Sequence, residues 1–306
     1  MNQKIQLSVI VCAYNARQDH LDRVLGALHK QTLPFERWDL TLVDNKSKNE
    51  VARRADLSWH PQGKMVVEEN PGLANARLCG IKSSKGELLS FIDQDNVLRE
   101  DYLDEGLKIA QTRPFLGSWS GRIVAEFEEE PPAEATPYLD KLNIRDVWEE
   151  AWSNHDYCTS TPYGSGLFIR RDVAERYFEK VRNDPKRLGF GRCGEHLGTM
   201  EDIDMVTTGI ELGYGSGVFP SLELLHLMPK ERLKLDFLLR LFRDAVASEM
   251  VYAKLKNLPQ KNQGSLIDRL VTRYKYFRAS RVDRLFERAR LDGLKLGEDK
   301  IRMLGL

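Results

Sequence analysis

IQLSVIVCAY (residues 5–14) is a nearly unbroken apolar, β-branched run, and HLDRVLGALHKQ (20–31) after it places Leu21, Val24, Leu25 and Leu28 at helical spacing. A continuous run of that kind is the pattern of a strand covered on both faces, and spacings of three and four give a helix one apolar stripe. Together they read as one βα unit. The strand signal returns in WDLTLVDN (38–45), KMVVEEN (64–70) and ELLSFIDQDN (87–96), with helices expected at about 49–57 and 73–84. Strand alternating with helix predicts an α/β fold with a mainly parallel sheet flanked by helices, in which ligands bind beyond the carboxyl ends of the strands. Those ends carry Asn15, Asp44, Asn70, Asp93 and Asp95.

Past residue 113 the pattern is less regular. A strand is expected near 116–125, an acidic loop at EFEEEPPAEATP (126–137) and short helices around 138–152. GLFIRR (166–171) reads as a strand, DVAERYFEKV (172–181) as a helix and GFGRCGEHLG (189–198) as a loop. EDIDMVTTGIELG (201–213) reads as a helix, YGSGVFPSLELLH (214–226) as a strand region, and from Glu231 onward the pattern is helical with basic faces. The expected organisation is an α/β domain over 1–229, with halves of about 1–113 and 114–229, and a basic helical appendage over 230–306.

With 42% hydrophobic residues, and 46 basic side chains against 46 acidic, the 306-residue chain is neither disordered nor fibrous in composition. The balance hides a division: residues 1–229 hold 27 basic and 36 acidic side chains, and residues 230–306 hold 19 and 10. The basic part suits an anionic surface, and docking on the acidic remainder gives the same count. Ser265 to Arg290, with eight Lys/Arg and three Asp/Glu among apolar residues, suits an amphipathic helix on anionic lipid or a charged face packed on the rest. No base-reading module accompanies it, so nucleic acid is not an expected partner. No run approaches the ~18 apolar residues of a membrane span, and the N-terminus lacks signal-peptide features, so a cytoplasmic location is expected, with peripheral contact at the inner face of the membrane. Cys12, Cys79, Cys158 and Cys193 form no CxxC pair and read as free thiols, Cys12 in the core.

Asp93 and Asp95 stand one residue apart at a strand end, so both side chains point to one side. Two hard carboxylates there suit Mg²⁺ or Mn²⁺ with a phosphate group, although capping the turn before a helix near Glu100 is the plainer role. With SVIVCAYN (8–15) and LTLVDNKS (40–47), the segment NPGLANARLCGIKSSKGELLSFIDQDN (70–96) resembles the family 2 glycosyltransferases, over roughly residues 5–226. The resemblance implies the GT-A fold and an inverting, metal-dependent transfer of a sugar from a nucleoside diphosphate to an acceptor hydroxyl. Mn²⁺ or Mg²⁺ is the implied cofactor and UDP the first candidate nucleotide. A saccharide or lipid-linked saccharide is the implied acceptor, in cell-surface polysaccharide or glycolipid assembly.

By the same resemblance Asp44 contacts the nucleotide base, an Asx turn in DNKS being its other role. Arg77 contacts the nucleotide, or is a solvated helix residue. Asp93 and Asp95 hold the ribose and the metal, Asp95 as metal ligand, and His226 reaches the metal or the diphosphate or is a structural histidine. Ala13, which stands where many members have Thr, and Asn15, which also shapes its turn, lie on the donor side; Gln94 and Asn96 replace acidic residues common in this stretch. In GTMEDIDM (198–205) Asp202 is the implied general base with Glu201 in support, whereas Thr199 and Asp202 also satisfy a helix capping box. Tyr163, Gly164 and Ser165, with Tyr157, fall on the acceptor side, and Trp148 and Trp152 form a sugar platform or one apolar helix face. Two other classes compete. A non-catalytic nucleotide-sugar-binding module would use Asp202 as a cap, and a sugar nucleotidyltransferase needs a Gly-rich basic loop after the first strand, which CAYNARQDHLD does not offer. The glycine clusters at 164–166 and 213–217 lack the GxGxxG arrangement of a dinucleotide site.

Overall fold

The structure, a computed structural model, describes residues 5–258 and 280–306. Its strands are β1 (Leu7–Ala13), β2 (Trp38–Asp44), β3 (Gly63–Val67), β4 (Leu88–Asp93), β5 (Asn96–Leu98), β6 (Leu116–Phe127), β7 (Ala151–Ser153), β8 (Leu167–Arg170) and β9 (Gly215–Met228). They form one sheet in the order β3-β2-β1-β4-β8-β6-β9-β5, with β7 added on β9. The helices are α1 (Gln18–His29), α2 (Leu73–Ser83), α3 (Tyr102–Thr112), α4 (Arg171–Val181), α5 (Pro185–Leu188), α6 (Glu201–Glu211), α7 (Leu235–Leu255) and α8 (Arg281–Met303).

β1 is buried along its whole length, as its unbroken apolar run requires, and pairs in parallel with β2 and β4. Its register sets Ala13 beside Asp44 and Cys12 beside Asp93, so three strands end together at one edge. Beyond β4 the sheet is mixed: β8 runs antiparallel to both β4 and β6, while β6 and β9 are parallel. β5 pairs antiparallel with β9 and puts Asn96 opposite His226. Apolar stripes of α1 and α3, through Leu21, Val24, Leu28, Leu103 and Leu107, cover one face. Ile81 of α2, Val173 and Tyr177 of α4 and Met205 of α6 cover the other. Each fully buried side chain of this size stabilises the fold by roughly 1.5–3 kcal/mol.

Two expected elements are absent. Residues 49–57 form turns and no helix, with Arg54 N–H donating to Glu50 in a single helical turn; the polar stretch has too few apolar residues to anchor a helix before β3. Residues 138–152 hold a 3₁₀ turn over Thr136–Leu142 and the short β7, so Trp148 and Trp152, both exposed, do not share a helix face.

The described part of the basic appendage is docked. After a 3₁₀ turn at Lys230–Leu233, Leu238 and Leu241 of α7 and Phe286 of α8 join Leu142 and Met228 in one apolar cluster. Val251 and Tyr252 pack with Phe190, Met200 and Ile203, and the Tyr252 and Thr207 hydroxyls are hydrogen-bonded at 2.9 Å. α8 approaches α7 closely because Gly293 has no side chain; a Cβ there would lie 2.6 Å from the Arg243 carbonyl. Residues 259–279, which hold most of the Ser265–Arg290 segment expected either to face lipid or to pack on the rest, lie outside the described residues. Among the described residues no helix is long and apolar enough to cross a membrane.

Candidate active site

A cavity of about 300 Å³ opens where β1 and β4 end, lined by Ala13, Asp93, Asp95, Glu201, Asp202 and His226 among others. The turn after β4 braces itself: Asp93 N–H donates to Asn96 Oδ1, and Asn96 Nδ2 donates to Asp95 Oδ1 at 3.3 Å. Gln94 ties this turn to the end of β1, accepting from Tyr14 N–H at 2.7 Å and donating to its carbonyl at 3.2 Å. Gln94 and Asn96, where acidic residues were the common alternative, therefore brace the turn that carries Asp93 and Asp95.

The loop before β8 joins two acidic clusters. Gly164 N–H donates to Asp202 Oδ2 at 2.8 Å, and Ser165 Oγ donates to Asp93 Oδ2 at 3.0 Å. Position 164 has no room for a side chain, since a Cβ would sit 2.6 Å from Arg77 Nη2. Asp202 lies in the first turn of α6 and also accepts from Ile203 N–H at 2.9 Å. The helix N-cap is Met200, with no side-chain cap bond. The expected capping box of Thr199 and Asp202 is thus not formed, because the Asp202 carboxylate is engaged by Gly164.

The electrostatics of the two clusters differ. Burial pushes the Asp202 carboxyl up, more than Arg77 and the two N–H donors bring it down. Burial also raises Glu201, against the ion pair it forms with Arg77 and with Asp202 adding to the rise. Asp95 is buried as well, yet Arg232 at 2.9 Å and then His226 hold it well below the usual carboxylate range. Arg232 Nη1 lies 3.0 Å from His226 Nε2, so one guanidinium bridges Asp95 and His226.

The structure collects Ala13, Arg77, Asp93, Asp95, Gly164, Ser165, Glu201, Asp202 and His226 around one cavity. It does not bring Asp44, Asn15 or Tyr163 into the lining. Asp44 is fully buried, paired with Arg53 at 2.7 Å and accepting from Ser47 N–H at 3.3 Å, so its carboxylate closes the DNKS turn. Asn15 has φ 47° and accepts from Lys48 N–H at 2.7 Å, a turn-shaping role. The Tyr163 ring stacks under the Arg145 guanidinium at 4.8 Å. Arg77 is buried, its guanidinium bonded to Glu201 and the Gly164 carbonyl and 3.6 Å from Asp93, so it fixes protein groups and is not a solvated residue. Missed in the sequence were Asn45, Lys141, Arg192 and Arg232, which also line the cavity. Asn45 fastens the end of β2 to Gly72 N–H and the Asn70 carbonyl, both at 2.7 Å. The three cations lie on a loop, a 3₁₀ turn and the appendage, where no strand-end rule points.

As to a divalent cation, Asp95 Oδ2 and His226 Nε2 lie 3.7 Å apart and face the position now held by Arg232. An oxygen and an imidazole nitrogen suit Mn²⁺, with remaining ligands from phosphate and water. Among the described residues no group of three or more His, Cys, Asp or Glu converges as a metal site. The protein therefore offers two donors and a cation already seated between them.

The family model described as Glycosyl transferase family 2 matches residues 8–178. The Haloferax volcanii glycosyltransferase AglE is 30% identical over 104 residues, 33% of this chain and 34% of that protein. Bacillus subtilis TuaG, a glycosyltransferase named for teichuronic acid biosynthesis, is 27% identical over 123 residues, 39% of this chain and 48% of that protein. The matched stretches thus span about a third to a half of these relatives. Among solved structures, the mannosyltransferase PcManGT of Pyrobaculum calidifontis, in complex with GDP-Man and Mn²⁺, aligns with TM-score 0.55 at 18% identity. The alignment covers 98% of this chain and 88% of that one, a likeness of fold.

Proposed function

The chain belongs to the family 2 glycosyltransferases and has their GT-A fold, and from that premise we propose that it transfers a sugar from a nucleoside diphosphate to an acceptor hydroxyl with inversion. The observation that carries this reading is the pair of backbone bonds, Gly164 N–H at 2.8 Å and Ile203 N–H at 2.9 Å, that aim the Asp202 carboxylate in the cavity shared with Asp93 and Asp95. Asp202 takes the proton of the acceptor hydroxyl as that oxygen attacks the anomeric carbon; the bond from that carbon to the diphosphate breaks and the nucleoside diphosphate leaves with its electron pair. Burial raises the proton affinity of Asp202, which makes it a stronger base than an exposed aspartate. Glu201 acts through Arg77, fixing the guanidinium that lies beneath Gly164 and Asp93. A divalent cation, Mn²⁺ or Mg²⁺, held by Asp95 and His226 would offset charge on the leaving diphosphate. The names of relatives such as TuaG support a place in cell-surface polysaccharide assembly, with a saccharide or lipid-linked saccharide as acceptor.

Asp202→Asn tests the assignment. The amide keeps the shape and one acceptor, so the variant should fold and bind donor, but turnover should fall at least about a hundredfold, roughly 2.7 kcal/mol of transition-state stabilisation. The readout is nucleoside diphosphate release with a competent acceptor. Near-normal turnover would reject Asp202 as the base and move that role to Glu201. The non-catalytic binding module would show no release in the wild type either.

A further inference from the structure

Among the described residues, the other cations lining the cavity are all paired: Arg77 with Glu201, Lys141 with Asp140, Arg232 with Asp95. Arg192 is not: its guanidinium makes no hydrogen bond or ion pair with the described residues, although Asp93, Asp95 and Asp202 share its cavity. Those carboxylates have partners of their own, Ser165 for Asp93, Arg232 for Asp95 and Gly164 for Asp202.

The backbone that carries Arg192 is fixed. Leu73 N–H at the start of α2 donates to the Arg192 carbonyl at 2.9 Å, and Cys193 and His196 exchange two backbone bonds of 3.0 Å. Asp244 of α7 accepts from Leu197 N–H at 2.9 Å and lies 3.3 Å from His196 Nδ1, while Lys300 of α8 is 3.0 Å from His196 Nε2. A guanidinium on an anchored loop, unpaired in a cavity whose two other arginines already hold carboxylates, is arranged for an anion that the described residues do not supply. Its planar fork matches the oxygens of a phosphoryl group, to which it can donate two hydrogen bonds at once.

We propose that Arg192 binds the terminal phosphoryl group of the donor's diphosphate and so sets the preference of the cavity for nucleoside diphosphates over monophosphates. The inference rests on the glycosyltransferase reading above, and Arg192 lies outside the residues 8–178 matched by the family. A phosphate on a lipid-linked acceptor has the same chemistry, and the two sources separate when nucleotide binding is measured with no acceptor present.

The experiment is calorimetry on the full chain at fixed Mn²⁺, with UDP against UMP and GDP against GMP. The wild type should bind one diphosphate at least about tenfold more tightly than its monophosphate, as expected of a charged hydrogen bond. Arg192→Gln should lose most of that preference while monophosphate affinity and the thermal midpoint stay near the wild type, and Arg192→Lys should fall between. An unchanged ratio in Arg192→Gln, with the wild type binding normally, overturns the inference alone and leaves the acceptor phosphate as the ligand of Arg192. A wild type that binds none of the nucleotides overturns the glycosyltransferase reading and this inference with it. If Arg192→Gln does not fold, the ratio in Arg192→Lys decides, a full wild-type preference counting against the proposal.

Discussion

Asp95 and Asp202 line the same cavity, Asp95 buried and Asp202 partly so, and their surroundings push their proton affinities in opposite directions. At Asp95 burial is outweighed by Arg232 at 2.9 Å and by His226, which keep the carboxylate charged. At Asp202 burial wins over Arg77 and two N–H donors, and the carboxyl holds its proton more tightly. A carboxylate that stays charged suits holding a cation, and one with raised proton affinity suits taking a proton. Environments that push two like groups apart in this way divide their labour. The difference teaches that neighbours, more than residue type, assign the roles here.

The largest expected effect breaks the base end from beneath. Arg77→Gln strands Glu201 in the core without its cation, a change that costs about 3–5 kcal/mol in buried ion pairs. Denaturant unfolding should show it, and the loss should shrink at acid pH, where Glu201, already raised by burial, takes a proton. A loss under about 1 kcal/mol at neutral pH would mean that the base end does not depend on Arg77, and the contrast would have to be redrawn.

Next in size is the pH response. Turnover should drop about tenfold per unit below a midpoint that lies above the ordinary aspartate value of 3.8. Stability separates the two ends by sign. Asp202, raised in the fold, favours folding fully below 3.8 and loses that contribution as pH rises through its folded value, so Asp202→Asn should cost least at neutral pH. Asp95, lowered in the fold, contributes above 3.8 and loses that contribution as pH falls through its folded value, so Asp95→Asn should cost most at neutral pH. Thermal unfolding of both variants from acid to neutral pH checks the opposite slopes; parallel slopes would sink the comparison.

The smallest effect is Ser165→Ala, which removes one hydrogen bond to Asp93 and leaves Asp202 with Gly164. It should cost about 0.5–1.5 kcal/mol of stability and leave the acid limb of the turnover profile in place. A moved limb would show that the ends are not separable.

The strands of the first half were legible because each is a buried apolar run, and β1, β2 and β4 fall within one to three residues of the expected bounds. Asp93, Asp95 and Asp202 were legible through the motif resemblance, and they do line one cavity. The segment 49–57 was misread because Val51, Ala52 and Ala55 mimic a stripe that one turn cannot sustain. Of the two roles open to Asp44, the turn in DNKS is the one visible in the fold, where Ser47 N–H and the Arg53 guanidinium meet its carboxylate. Arg192 and Arg232 carry no periodic signal. Each reaches the cavity only through packing of a loop and an appendage whose partners are distant in sequence.

The Asp244 contacts to His196 and Leu197 make the helices at the end of the chain part of the equilibrium that shapes the cavity wall. Two processes that share one loop share free energy, and by reciprocity whatever tightens one tightens the other by the same factor. A ligand gripping the loop that carries Arg192 would therefore hold α7 and α8 more firmly in place, and loosening those helices would weaken that ligand by an equal amount.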